Sequence, residues 1–158
     1  MNKPDATMLG CSLGRVEELI FRRGKHVAPF ATDPIAGAIA DAYRDAIYAP
    51  EQADELLGLS SSDFCDLIYS NQLQWAPEGD EAFDDRSHVL IFDVEERVRL
   101  IAFRCADEGY HHAKESLREI WLHADRFYRL LEEWRNHFLR AWNEAPKVSE
   151  TEDGAETT

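Results

Sequence analysis

The chain has 158 residues, a length that suits one domain around one hydrophobic core, and 44% of those residues are apolar. Its net charge of −14, from 17 basic and 31 acidic residues, repels nucleic acids and anionic lipids and favours basic partners. No run of about 18 apolar residues is present, and residues 1–10 lack the apolar stretch of a secretory signal, so we expect a cytoplasmic protein that binds neither nucleic acid nor membrane.

Apolar side chains at helical spacing predict that the N-terminal half of the chain is helical. The first predicted helix covers residues 12–23, and Gly24 ends it because glycine readily adopts the left-handed conformation found after helices. The second begins after Asp33, which we expect to be the N-cap, with Pro34 at the first helical position; it ends at Pro50.

Two shorter helices are predicted next. The first covers residues 51–57. The second follows several capping residues within 60–63 and continues through Phe64, Leu67 and Ile68. The first half of the chain is therefore predicted to be helical throughout.

After Trp75 the pattern changes to that of an antiparallel sheet. Two runs rich in β-branched and aromatic residues, separated by a short polar turn, predict a β-hairpin over about residues 87–104. Residues 117–122 fit either a helical face or a third strand. We favour the strand, because Asp125 is a good N-cap and indicates a new helix that begins there.

A long helix is predicted over about residues 125–143, where the apolar spacing is the most regular in the chain. Burial of each large side chain is worth roughly 1.5–3 kcal/mol, so we expect this helix to lie across the core with its apolar stripe inside. The stripe consists of Phe127, Leu130, Leu131, Trp134, Phe138, Ala141 and Trp142.

The predicted fold class is α+β, with a helical N-terminal half and a small antiparallel β-sheet that is backed by the long C-terminal helix. We assign residues 1–146 to a single domain. Residues 147–158 are predicted to be an acidic disordered tail, because the last ten residues contain four acids, no base and no large apolar side chain.

The chain contains no sequence signature of catalysis. It lacks the GxSxG elbow, the phosphate-binding GxxxxGK[ST] and GxGxxG loops, and the HExxH metal motif. The three cysteines are odd in number and widely spaced, which argues against a disulfide framework. His88, Asp84 and Asp85 have the donor types of a metal site, but their spacing matches no calcium loop. We therefore predict no catalytic residue, no metal site and no cofactor.

An acidic segment between aromatic residues is the candidate partner-binding surface. Residues 76–85 contain five acids and no base, so they would attract a basic partner, while a neighbouring tryptophan supplies an apolar anchor. The alternative is that Trp75 and Phe83 turn inwards and the carboxylates keep the loop solvated. The predicted surface combines this loop with the hairpin turn and consists of Trp75, Glu78, Asp80, Glu81, Asp84, Asp85, Glu95 and Glu96.

Several stretches of the chain resemble one known family. Residues 79–93 (GDEAFDDRSHVLIFD), 98–103 (VRLIAF) and 125–134 (DRFYRLLEEW), with Phe138 and Trp142, are similar to bacterial immunity proteins encoded beside polymorphic toxins. The resemblance covers roughly residues 75–142. It implies a cytoplasmic protein of a type VI secretion or contact-dependent system that binds one cognate toxin and blocks its active site. Many such toxins carry basic substrate-binding surfaces, which an acidic inhibitor complements.

Two alternative functions are compatible with the residues. A small metal-dependent hydrolase that uses His88, Asp84 and Asp85 predicts stoichiometric bound metal. A structural or adaptor subunit predicts that the helix over residues 125–143 packs on a partner. In that case the aromatic stripe is exposed, and self-association depends on Trp134 or Trp142.

Overall fold

The computed structural model of the chain describes residues 8–52, 55–75, 86–105 and 113–146. Four helices and five strands are present in these residues, and two 3-10 turns at Pro50–Gln52 and Lys114–Ser116 connect some of them. In chain order the elements are α1 (Met8–Phe21), α2 (Ala36–Tyr48), β1 (Glu55–Leu56), β2 (Leu59–Ser60), α3 (Ser61–Ser70), β3 (Ser87–Val94), β4 (Arg97–Arg104), β5 (Arg118–His123) and α4 (Ala124–Glu144). The α+β class, the hairpin and the long C-terminal helix are confirmed.

Strands β3, β4 and β5 form an antiparallel sheet with β4 in the middle. The hairpin pairs along its whole length, from Ser87 opposite Arg104 to Val94 opposite Arg97. β5 pairs with the other side of β4, so the third strand is confirmed. The outer edge of β3 is partly covered, because the backbone N–H of Trp75 donates to the Val89 carbonyl at 2.7 Å.

Helices cover both faces of the sheet. On one side, α2 and α3 pack over Leu90 and Ile101, and we call this side the α2–α3 face. On the other side, α1 and α4 pack over Ile91 and Val98, and we call it the α1–α4 face. Because both faces are buried, the middle of β3 is a continuous apolar run instead of an alternating one.

Two helix ends form as the sequence predicts. α1 is followed by a turn in which Gly24 has φ +78°, the left-handed conformation that glycine adopts with little strain. α3 is capped by Ser60, whose hydroxyl oxygen accepts a hydrogen bond from the backbone N–H of Asp63 at 3.1 Å.

Two predicted N-caps are wrong. Helix α2 begins after Ile35 and not after Asp33, and α4 begins after His123 and not after Asp125; neither observed cap residue makes a side-chain capping bond. Asp125 lies inside the first turn of α4, where its carboxylate pairs with Arg23. This carboxylate is near the positive end of the helix dipole, so an acid in the first turn is stabilising without being the cap.

The helix predicted over residues 51–57 is also wrong. Glu55–Leu56 and Leu59–Ser60 pair as a small antiparallel hairpin, β1–β2. Its two turn residues, Leu57 and Gly58, have φ 53° and 83°. Positive φ at both central residues is typical of a two-residue hairpin turn, and the Leu-Gly pair is the signal that the helical interpretation overlooked.

The apolar stripe of α4 is buried only in part. Phe127 and Leu131 are 3% and 6% exposed, but Leu130 and Trp134 are 48% and 39% exposed, and Phe138 and Trp142 are half-buried. The expectation that the whole stripe lies in the core is therefore wrong. α4 is the longest helix, and no described helix is long and apolar enough to cross a membrane.

Candidate partner-binding surface

Trp75 immediately precedes the acidic loop and is within the described part of the chain. Its indole is half-buried and packs edge-on against Phe127 of α4, with ring centroids 5.9 Å apart. The side chain therefore turns partly inwards, as the alternative interpretation predicted, while the rest of the ring stays at the surface. The other acidic-loop residues of the predicted surface, Glu78, Asp80, Glu81, Asp84 and Asp85, lie outside the described residues.

Arg15 of α1 holds the segment that carries Trp75. Its Nη1 donates to the Gln72 side-chain oxygen at 2.6 Å and its Nη2 to the Gln72 carbonyl at 3.2 Å, while its Nε donates to the Trp75 carbonyl at 3.4 Å. Burial lowers the pKa of Arg15, an effect that Glu18 partly opposes. Sequence analysis missed this residue, because an arginine at the edge of an amphipathic helix gives no sign of a partner 57 residues away.

A groove with an apolar lining opens beside Trp75 on the α1–α4 face. Its volume is about 430 Å³. We call it the Trp75 groove, and its lining residues are Ser12, Arg15, Val16, Trp75, Leu100, Leu122, Phe127, Leu130, Leu131 and Trp134. A concave site lined almost entirely by aliphatic and aromatic side chains can accept the apolar side chains of a ligand or a protein partner.

Three exposed apolar side chains lie at or near the Trp75 groove. Leu130 and Trp134 line it, and Ile120, which is 50% exposed, lies on β5 directly opposite the groove residue Leu100. Single exposed apolar side chains are ordinary, but a group of them beside an apolar groove is typical of an interaction site. The sequence did not separate these positions from core positions.

The aromatic side chains on the second half of α4 form a stack that continues from the groove. Trp134 and Phe138 have ring centroids 5.5 Å apart and planes 20° apart, and Phe138 and Trp142 have centroids 6.3 Å apart. Stacking at four-residue spacing follows from the helical repeat, which places these side chains above one another. The stack lengthens the apolar surface along α4.

Glu95 and Glu96 lie at the other end of the hairpin. Both are exposed in the β3–β4 turn, where Glu95 has φ 52°. The Trp75 backbone lies beside Val89 of β3, where the two residues share a hydrogen bond. From Val89 to Val94, at the turn, the five residues of the strand span roughly 17 Å. Along β3 the structure therefore separates Trp75 from the two turn glutamates, while the acids of residues 78–85 lie outside the described residues.

A polar cleft of about 400 Å³ adjoins the two turn glutamates. Inside it, the Asp93 carboxylate accepts hydrogen bonds from the Tyr128 hydroxyl at 2.8 Å and from the His26 backbone N–H at 3.1 Å. Burial, reinforced by Asp93, raises the pKa of the Tyr128 phenol. Arg23, whose guanidinium lies 5.1 Å from the Tyr128 ring centroid, lowers the pKa of Asp125 through their hydrogen bond. These contacts join α1, β3 and α4 and are structural.

Arg99 is a buried charge on the α2–α3 face. Its side chain is 3% exposed and its Nε donates to the Glu119 carboxylate at 2.8 Å. Its two terminal nitrogens donate to the carbonyls of Ala31 at 2.8 Å and Pro34 at 2.9 Å. The face of β4 that carries Arg99 is therefore inside the molecule at this position, and the guanidinium nitrogens have hydrogen-bond partners.

The described residues give no support to a metal site at His88. The imidazole is 2% exposed and packs among aromatic rings, 5.3 Å from Tyr43 and 5.4 Å from Phe103 between centroids. No group of three His, Cys, Asp or Glu side chains in the described part of the chain could hold a metal ion. Asp84 and Asp85, the other two residues of the hydrolase hypothesis, lie outside that part.

Comparison with known proteins gives one match. The family model for immunity protein 42, Imm42, matches residues 1–137 of the chain. The chain belongs to the Imm42 family. The match confirms the resemblance to polymorphic-toxin immunity proteins and extends it over the N-terminal half of this immunity protein, which the resemblance over residues 75–142 did not include. Neither the curated proteins nor the solved structures contain a match to this immunity protein.

Proposed function

We propose that this immunity protein neutralises one cognate bacterial toxin in the cytoplasm by binding it and occluding its active site. Membership of the Imm42 family over residues 1–137 is the observation that carries the proposal. The toxin is an effector delivered by a type VI secretion or contact-dependent system. Inhibition by stoichiometric binding requires no catalytic group in the chain, so the protein is proposed to act without enzymatic activity.

The described surface supports a binding function in two ways. The Trp75 groove and the exposed side chains of Ile120, Leu130 and Trp134 supply an apolar centre of the kind that carries most of the affinity in protein complexes. The acidic loop continues directly from Trp75, and the chain as a whole carries a net charge of −14. A toxin with a basic substrate-binding surface would be drawn to this immunity protein by that charge.

The adaptor hypothesis is supported by one observation, the exposed aromatic surface on α4. Trp134 is 39% exposed and stacks with Phe138 and Trp142. An adaptor that uses this stripe to self-associate would be oligomeric in the absence of a toxin. The proposed inhibitor uses the same side chains to bind a toxin.

The proposal is tested by capturing the partner from the native host with the full chain as bait, followed by mass spectrometry. We expect one stoichiometric partner encoded beside this immunity protein. Expression of that partner alone should kill the cell, and co-expression of the immunity protein should restore growth. Purified toxin should lose its activity linearly up to one equivalent of immunity protein.

An unrelated toxin that kills the same cells is the control, and the immunity protein should not protect against it. Recovery of no toxin, together with stoichiometric metal that is lost in His88→Ala, would overturn the proposal in favour of the hydrolase hypothesis. Self-association that depends on Trp134, without any toxin partner, would favour the adaptor.

A further inference from the structure

β5 is an edge strand, and no described strand pairs with its outer side. The opposite edge of the sheet, on β3, is partly occupied by the segment that carries Trp75, but β5 pairs only with β4. At the end of the β4–β5 ladder, Ala124 lies opposite Glu96, and its N–H donates to the Glu96 carbonyl at 2.8 Å, so these two residues form a hydrogen-bonded pair. Hydrogen-bonded and non-hydrogen-bonded pairs alternate along an antiparallel ladder. By this alternation Glu119 and Trp121 belong to non-hydrogen-bonded pairs, and their backbone N–H and C=O groups point away from β4.

On the α1–α4 face this edge presents Arg118, Ile120 and Leu122, because alternate residues of a strand face the same side. Ile120 is 50% exposed, and the half-buried Leu122 lines the Trp75 groove. Leu130 and Trp134 form the adjacent wall of that groove. Proteins usually protect exposed apolar edge strands, because such edges pair with other chains. An open edge beside an apolar groove therefore indicates a surface that receives a partner.

On the α2–α3 face, the side chains of the edge are already held in place. The Glu119 carboxylate accepts hydrogen bonds from Arg99 at 2.8 Å and from the Trp121 indole N–H at 3.0 Å. The guanidinium groups of Arg97 and Arg99 lie 4.7 and 5.2 Å from the Trp121 ring centroid. Because the edge is ordered before binding, a partner strand would lose little free energy in fixing it.

We propose that the cognate toxin docks at β5 by adding an extended strand to this edge of the sheet. Alternate side chains of the toxin strand lie over Ile120 and enter the Trp75 groove. This inference rests on the proposed function, because its occupant is the toxin. A second copy of the chain is the less favoured occupant, since two molecules of net charge −14 repel each other. The toxin segment that fits has apolar residues at every second position. The toxin as a whole is basic, which complements the net charge of −14.

The test uses the toxin identified by capture, made catalytically inactive, and single substitutions on the surface. Ile120→Glu and Trp134→Ala should each raise the Kd for the toxin at least about tenfold, because each removes apolar contact at the centre of the interface. Val27→Glu is the matched control. Val27 is 47% exposed and follows His26, whose carbonyl accepts a hydrogen bond from the Asp93 N–H at the β3 edge of the sheet, so its substitution should leave the Kd unchanged. Circular dichroism checks that each variant is folded.

Amide hydrogen exchange separates strand addition from side-chain docking alone. In the free protein, the outward amides of Glu119 and Trp121 should exchange fast, whereas the inward amides of Ile120 and Leu122 should be protected by β4. In the complex, the two outward amides should become protected by at least about tenfold.

Three results would overturn the inference. If the toxin binds and is inhibited but neither the Kd nor the outward amides change, this surface is not the docking site, although the proposed function stands. If the free protein is a dimer whose outward amides are protected, a second copy occupies the edge. If the wild-type chain does not inhibit the captured toxin, the proposed function fails, and the toxin as occupant fails with it.

Discussion

At the scale of single residues, the least predictable feature is the buried Arg99. In the sequence, Arg97 and Arg99 are equivalent, because both lie on the same side of β4 two residues apart. In the structure, Arg97 is exposed, whereas Arg99 is 2% exposed and is neutralised by Glu119 and two backbone carbonyls. The difference arises because the loop before α2 covers only the second position.

Substitution of these two arginines tests that difference. Arg99→Ala should lower the free energy of unfolding by about 3 kcal/mol, because it removes the charged partner of Glu119 and the donors to the Ala31 and Pro34 carbonyls. Arg97→Ala should lower it by less than about 1 kcal/mol, since that side chain is exposed. Urea denaturation measures both values. Equal losses would show that the Arg99 contacts contribute no more than a surface charge.

At the scale of secondary-structure elements, α4 shows what amphipathic periodicity can and cannot predict. The period predicted its bounds within one residue, from about 125–143 to the observed Ala124–Glu144. It predicted only in part which side faces the protein. Tyr128, outside the predicted stripe, is 1% exposed, whereas Leu130 and Trp134 within the stripe are 48% and 39% exposed.

Two alanine substitutions on α4 compare its buried and exposed apolar positions. Leu131→Ala should lower the free energy of unfolding by about 2–4 kcal/mol, because it opens a cavity beneath the helix. Trp134→Ala should lower it by about 1 kcal/mol, although it removes a much larger side chain that is 39% exposed. Thermal or urea denaturation gives both values. A larger loss for Trp134 than for Leu131 would mean that the stripe is core along its whole length.

At the scale of the whole molecule, charge and shape act over different distances. In the proposed complex, the acidic loop and the net charge of −14 attract a basic toxin before contact, whereas the Trp75 groove acts only after contact. Charge is therefore expected to govern the association rate, and apolar contact the dissociation rate. The acidic loop is thus proposed to act in the approach of the toxin, and the Trp75 groove in the final contact.

Charge reversal in the acidic loop tests this division. The double variant Asp84→Lys and Asp85→Lys should slow association with the toxin by about tenfold and leave the dissociation rate nearly unchanged. The wild-type association rate should also fall as salt is raised. The control is Glu152→Lys with Asp153→Lys in the tail, which changes the net charge equally. An equal effect in both double variants, or none in the loop variant, would remove the loop from the interface.

The sequence by itself determined the elements and the charge of this protein. Hydrophobic periodicity, the glycine after α1 and the serine before α3 are local signals, so they predicted the sheet hairpin, the third strand and most helices. The sequence also suggested the immunity protein family, through its resemblance over residues 75–142. The Asp33 and Asp125 caps failed because a good capping residue does not oblige the chain to begin a helix there.

Only the tertiary structure decided which surfaces are covered. The burial of Arg99, the exposure of Trp134 and the lack of a described strand beyond β5 all depend on which neighbour lies beside an element. An apolar stripe has the same sequence whether its own fold or a partner covers it, because the hydrophobic effect depends on removal from water and not on what removes it. The groove and the exposure of Leu130 and Trp134 beside it were therefore visible only once the elements were packed.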